Sequence, residues 1–122
     1  MARKTVNKKA LKIVKEVKEL CGLLFGSKLK DIYLYGSYAR GDYDEESDID
    51  IMLTLDLTER EIHHYRDSLI TIASDLSLKY DITVSLLTNP VKTFYKYSGF
   101  IPFYQNVLNE GINYGKQEIV FH

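Results

Sequence analysis

The run Gly36-Ser37-Tyr38-Ala39-Arg40-Gly41, followed by Ser47-Asp48-Ile49-Asp50-Ile51, joins a phosphate-sized turn to two carboxylates. Gly36 has no Cβ, so the chain can turn sharply there and a ligand can approach the backbone closely. Ser37 offers a hydroxyl and an amide N–H to a phosphate oxygen. Arg40 either supplies a fixed positive charge to such a ligand or ties down the acidic loop beside it. From Ile49 to Leu55, Ile49, Ile51, Leu53 and Leu55 alternate with Asp50, Met52 and Thr54, the period-two pattern of a strand with one buried face. Asp48 and Asp50 then share the other face with Cα atoms about 6.6 Å apart. Inward-leaning carboxylates at that spacing can hold one metal ion or bridge two ions about 3.5–4 Å apart. A hard divalent cation suits such oxygen donors.

Two-metal chemistry calls for a third carboxylate. The segment Tyr80-Asp81-Ile82-Thr83-Val84-Ser85-Leu86-Leu87 repeats the alternation, with Ile82, Val84 and Leu86 toward the core and Asp81, Thr83 and Ser85 on the polar face. Asp81 joins Asp48 and Asp50 if these two strands are neighbours. Asp67 and Asp75 fall on a helix and rank below it.

Competing motifs fail on their own terms. Asp42, Asp44, Glu46, Asp48 and Asp50 superficially resemble a calcium loop, yet Ser47 replaces the required Gly and Leu53 takes the place of the closing Glu. There is no Gly-Lys-Ser/Thr phosphate loop, and Gly36 with Gly41 does not meet the dinucleotide fingerprint. His63 and His64 are adjacent rather than spaced for zinc, and read as solvated helix positions.

Gly-Ser, ten intervening residues, then Asp-x-Asp resembles the signature of the DNA polymerase β-like nucleotidyltransferase superfamily. Gly36, Ser37, Asp48 and Asp50 match it position by position. Ala39-Arg40-Gly41 matches the extension common in its minimal nucleotidyltransferases, small proteins often encoded beside HEPN-domain toxins, and Asp81 matches the third acid. The resemblance runs from about Asp31 to Leu87. It implies an α/β (α+β) fold, a small mixed β-sheet with helices packed on it. It also implies Asp48 and Asp50 as ligands of two Mg²⁺ ions, with Asp81 binding the ion that activates the acceptor hydroxyl. Gly36, Ser37 and Arg40 would bind the nucleotide. The implied reaction is transfer of a nucleoside monophosphate, AMP from ATP or the equivalent from another NTP, to a hydroxyl acceptor. The minimal group suggests a HEPN toxin modified on tyrosine, which would make this chain the antitoxin. Rival readings are transfer to a small compound such as an aminoglycoside, a dimer supplying the missing pocket wall, and a non-catalytic module that neutralises a partner by occlusion. RNA tailing is the weakest, since no second RNA-binding module or strongly basic domain is present.

These residues need a scaffold. A first helix is expected from Val6 to Leu24, because Val6, Ala10, Ile13, Val14, Val17, Leu20, Cys21 and Leu24 recur at helical spacing before Gly26. Lys8, Lys9, Lys12, Lys15 and Lys18 fall on its outer surface. A strand over Ile32–Tyr35 leads into Gly36. Thr58 and Glu61 form a capping box for a second helix carrying Ile62, Tyr65, Leu69, Ile72 and Leu76. So long a crossover lets the second and third strands pair in parallel. Asn89 is expected to cap a helix with Pro90 at its first position, and another helix is expected over Pro102–Glu110, ended by Gly111. Phe94, Tyr95, Tyr97, Phe100, Phe103 and Tyr104 are expected to pack on the sheet.

At 122 residues with a net charge of −1, the chain reads as one domain over 1–122 and as a poor generic polyanion binder. Basic residues crowd the first thirty positions and acids crowd Asp42 to Asp50. It shows no signal peptide and no run long enough to span a bilayer, so a cytoplasmic protein is the default. The lone Cys21 cannot form an internal disulfide and sits on the apolar stripe of the first helix, which marks a buried thiol.

Overall fold

The computed structural model describes residues 6–121. Helix α1 spans Lys8–Phe25, where the Asn7 side chain caps its start by accepting from the Ala10 N–H and Gly26, at a φ of 56°, ends it. Val6 therefore precedes the helix. Ala10, Ile13, Val14, Val17 and Cys21 form its fully buried stripe, whereas Leu20, expected on that stripe, is 39% exposed. A 3-10 turn leads into β1, Leu29–Tyr35, which is followed by the short helix α2, Ser37–Arg40, and β2, Ile49–Leu55.

The crossover after β2 is two helices rather than the single one expected. Thr58 and Glu61 do form the capping box, but it opens only α3, Glu59–His63, before α4 begins anew over Arg66–Tyr80. Strand β3 is Val84–Pro90, α5 Val91–Tyr97, α6 Pro102–Glu110 with Gly111 at its end, and β4 Ile112–Asn113. Pro90 is thus the residue before α5, and Asn89 lies in the strand.

The sheet has the order β3-β2-β1-β4, mixed as expected. The β1–β2 and β1–β4 pairs are antiparallel, and β2–β3 is parallel, as the long crossover permits. One face carries Ile32, Leu34, Ile49, Ile51, Leu53, Leu55 and Val84 against α1 and α4. The opposite face is not simply polar. Tyr33 and Met52 on it are buried with Phe94 of α5 and Val107 of α6, and Tyr35 and Tyr104 pack against them. Of the rings expected on the sheet, Phe94 is fully buried while Phe100 is 79% exposed. Among the described residues no helix is long and apolar enough to cross a membrane.

Within this second face lies Asp31, only 6% exposed. Its carboxylate accepts from Thr54 Oγ1 of β2 at 2.6 Å, Tyr95 OH of α5 at 2.9 Å and Asn113 Nδ2 of β4 at 2.8 Å. The Tyr95 hydroxyl also meets Tyr33 OH at 2.7 Å. Burial, the Tyr33 contact and the Asp31 carboxylate together push the Tyr95 phenol well above its ordinary range. Removing one member of a buried network leaves its partners unpaired, at roughly 1–3 kcal/mol per orphaned group. Asp31→Ala is therefore expected to destabilise the chain by about 3 kcal/mol, read as a lowered urea midpoint with an unchanged m-value.

Candidate active site

Gly36 connects the end of β1 to α2 and adopts a φ of 76°, a conformation that side chains other than glycine's rarely tolerate. A Cβ there would also lie 2.5 Å from Oδ2 of Asp50. The two constraints coincide because Tyr35 pairs with Asp50 across the antiparallel ladder, so the turn leaves β1 directly over that carboxylate. Ser37 and Tyr38 supply the first amides of α2, which by position precede the first helical hydrogen bonds. Ala39 and Arg40 donate back to the Gly36 carbonyl at 3.1 and 3.0 Å.

Arg40 is tied to the protein. Its Nε meets Asp42 Oδ2 at 3.1 Å and its Nη1 meets Glu110 Oε2 at 3.0 Å, linking the turn to the acidic loop and to the end of α6. Of the two roles open to it in the sequence, the structure thus displays the tethering one, and its charge also acts on Asp50. The loop between α2 and β2 is held by Asp44, whose Oδ1 accepts from the Glu46 N–H at 2.9 Å, and by Ser47 Oγ, which accepts from the Asp44 N–H at 2.9 Å. Tyr43 stacks on Tyr38 with ring centroids 4.2 Å apart. These contacts fix the approach to Asp48.

Asp48 is exposed at the mouth of β2 and Asp50 is half-buried one step further in. Burial, then the charge of Asp48, raise the Asp50 pKa, and Arg40 works in the opposite direction. Next to it, burial and the Asp50 charge push the Tyr35 phenol up to about 12. Two hard oxygen donors at one strand end, with the charge of Asp48 disfavouring that of Asp50, fit a divalent cation that would neutralise both.

Asp81 does not complete the set. Tyr80 is the last residue of α4, and Asp81 is its C-cap in the left-handed conformation at a φ of 52°, exposed and ahead of the strand. Ser77 fixes this ending, because the Asp81 and Ile82 amides donate to its carbonyl and its Oγ accepts from the Val84 N–H at 2.9 Å. Among the described residues no three His, Cys, Asp or Glu side chains gather as metal donors. The strand position expected for Asp81 thus gives way to a helix C-cap ahead of β3. In the parallel ladder Asp50 pairs with Ser85, and the Ile49 N–H donates to the Thr83 carbonyl at 2.9 Å. Hydroxyl residues, not acids, stand beside the two aspartates.

The family profile described as "Nucleotidyltransferase domain" matches residues 9–111. The chain belongs to the nucleotidyltransferase domain family. It is an enzyme of that class, a nucleotidyltransferase, and shares 37% identity over 100 residues with "Putative protein adenylyltransferase MJ0604" of Methanocaldococcus jannaschii, spanning 80% of this chain and 92% of that one. With "Putative protein adenylyltransferase MJ0141" of the same organism it is 44% identical over 75 residues, 62% of this chain and 74% of the relative. A crystal structure of an Asp-to-Glu double variant of the toxin–antitoxin MntA–HpeT superposes with a TM-score of 0.55 at 25% identity, covering 88% of this chain and 74% of that one. The nucleotidyltransferase fold implied by the family resemblance is the fold observed.

Gly36→Ala is expected to cost about 1–3 kcal/mol, since it combines positive-φ strain with displacement of Asp50. The double variant with Asp50→Ala removes the clash but not the strain. The two substitutions are therefore expected to be non-additive in a double-mutant cycle read by urea unfolding. Strict additivity would mean that the carboxylate does not rest against Gly36.

Proposed function

We propose that this nucleotidyltransferase moves AMP from ATP onto a phenolic hydroxyl of a partner protein, with a HEPN-type toxin as the acceptor and this chain as its antitoxin. The observation that carries the reading is the seating of Asp50 against Gly36, which brings a strand-end acid pair up to the amides of the Ser37 turn. Relatives named as protein adenylyltransferases support protein as the acceptor, and the likeness to a toxin–antitoxin structure supports a toxin partner.

In this reading Ser37 Oγ and the amides following Gly36 bind the outer phosphates, where hydrogen bonds to charged oxygens are strongest. Asp48 and Asp50 hold Mg²⁺, which when bound offsets the triphosphate charge and stabilises the departing pyrophosphate. Arg40 keeps the turn and the acidic loop in register through Asp42 and Glu110. The acceptor oxygen attacks the α-phosphorus in line, forming the new O–P bond as the bond to pyrophosphate breaks, and the acceptor proton leaves to solvent. With no third carboxylate beside Asp50 to take that proton, an acidic hydroxyl is favoured. A tyrosine phenol, ordinarily near pKa about 10, releases its proton far more readily than an aliphatic alcohol.

The test is incubation of purified protein with Mg²⁺, α-phosphate-labelled ATP and lysate of its source cells, beside the Asp48→Asn, Asp50→Asn double variant. Label on a protein band, located on tyrosine by mass spectrometry and lost with the variant, is the expected result. Label on RNA or on a small molecule would replace the acceptor assignment. Absence of transfer from all four nucleotides would sink the catalytic reading.

A further inference from the structure

We propose that Ser85 occupies the position from which a third carboxylate would act, so that this site takes one divalent cation with its nucleotide and has no place for a second. The assignment rests on the functional reading above, and it concerns the number of ions rather than the reaction. The parallel register sets Ser85 opposite Asp50. Paired residues of adjacent strands point to the same face, and adjacent strands run about 4.8 Å apart. A carboxylate at position 85 would therefore stand beside that of Asp50, at the separation needed to share an ion with it. Ser85 is half-buried, so this flank of Asp50 is partly closed to solvent.

No neighbouring residue replaces it. Thr83, the previous residue on the same face, is also a hydroxyl, and its carbonyl is taken by the Ile49 N–H. Asp81 lies four positions before Ser85, ahead of β3, with its backbone committed to ending α4. Leu87, the next residue on that face, is apolar. A serine hydroxyl is neutral and a weaker donor to a hard divalent ion than a carboxylate, so on this flank no charged side chain stands ready to hold a second ion beside the one shared by Asp48 and Asp50.

The experiment counts ions directly. The full chain is saturated with the non-hydrolysable α,β-methylene analogue of ATP and titrated with Mn²⁺, and protein-bound Mn²⁺ is read by electron paramagnetic resonance and equilibrium dialysis. One Mn²⁺ per chain is expected for the wild type and for Asp81→Asn, rising to two for Ser85→Asp. Two ions on the wild type, loss of an ion in Asp81→Asn, or one ion on a folded Ser85→Asp would each overturn the assignment. If Ser85→Asp does not fold, as judged by circular dichroism, the wild-type and Asp81→Asn counts still decide. Analogue retained with two ions overturns the Ser85 assignment alone. A chain that retains neither analogue nor ion removes the functional reading and this assignment with it.

Discussion

A single buried carboxylate, that of Asp31 on β1, ties both neighbouring strands and helix α5 to one point. Thr54 of β2, Tyr95 of α5 and Asn113 of β4 all donate to it. Asn113 in turn accepts from the Ile32 amide at 3.2 Å and the Gly115 amide at 2.9 Å, so the two-residue strand β4 is anchored by side chains as much as by its short ladder. A buried charge is tolerable only when its oxygens are saturated with donors, and here they are. The result is that α5 is pinned to the sheet at a defined height. Phe94 of α5 and Val107 of α6 then cover Tyr33 and Met52, while Asp50 at the strand end stays half-buried and Asp48 exposed.

The electrostatic design separates two kinds of carboxylate on that one face. Asp31 is surrounded by donors, whereas Asp50 has a like charge for a neighbour and a partly desolvated position, and Tyr35 beside it is held protonated by burial and by Asp50 itself. The first arrangement is complete within the chain and the second calls for a counter-ion. Residues of one chemical type thus differ, one with its charge met by donors and one with its charge disfavoured, according to what the neighbouring strands and helices bring to them.

Much of this was legible in the sequence. The alternation over Ile49–Leu55 returned β2 with both its ends, and Gly36 and Asp50, two of the residues that carry the family resemblance, lie against one another. Local patterns failed where a second structure could satisfy them equally well. The alternation through Tyr80–Leu87 is compatible with a strand throughout, yet Tyr80 continues the helical series from Leu69, Ile72 and Leu76, and Asp81 is a residue type that accepts the left-handed cap. Ser77 marks the true boundary through hydrogen bonds that no periodicity reveals. The single helix expected after Thr58 divides at His64 and Tyr65, although the capping box itself was readable. The role of Asp31 was missed because its donors lie 23, 64 and 82 positions away in the chain.

The topology divides the site by chain distance. Tyr35, Gly36, Ser37, Asp48 and Asp50 belong to one antiparallel unit, β1–α2–β2, joined by a single loop. Ser85 reaches Asp50 only after the chain has passed through α3 and α4 and returned in parallel. Closing the shorter loop costs less entropy, and contacts between near neighbours in sequence form sooner. The half of the site carrying Gly36 and Asp50 is thus local in sequence, whereas the flank beside Asp50 depends on a strand that returns from a distance.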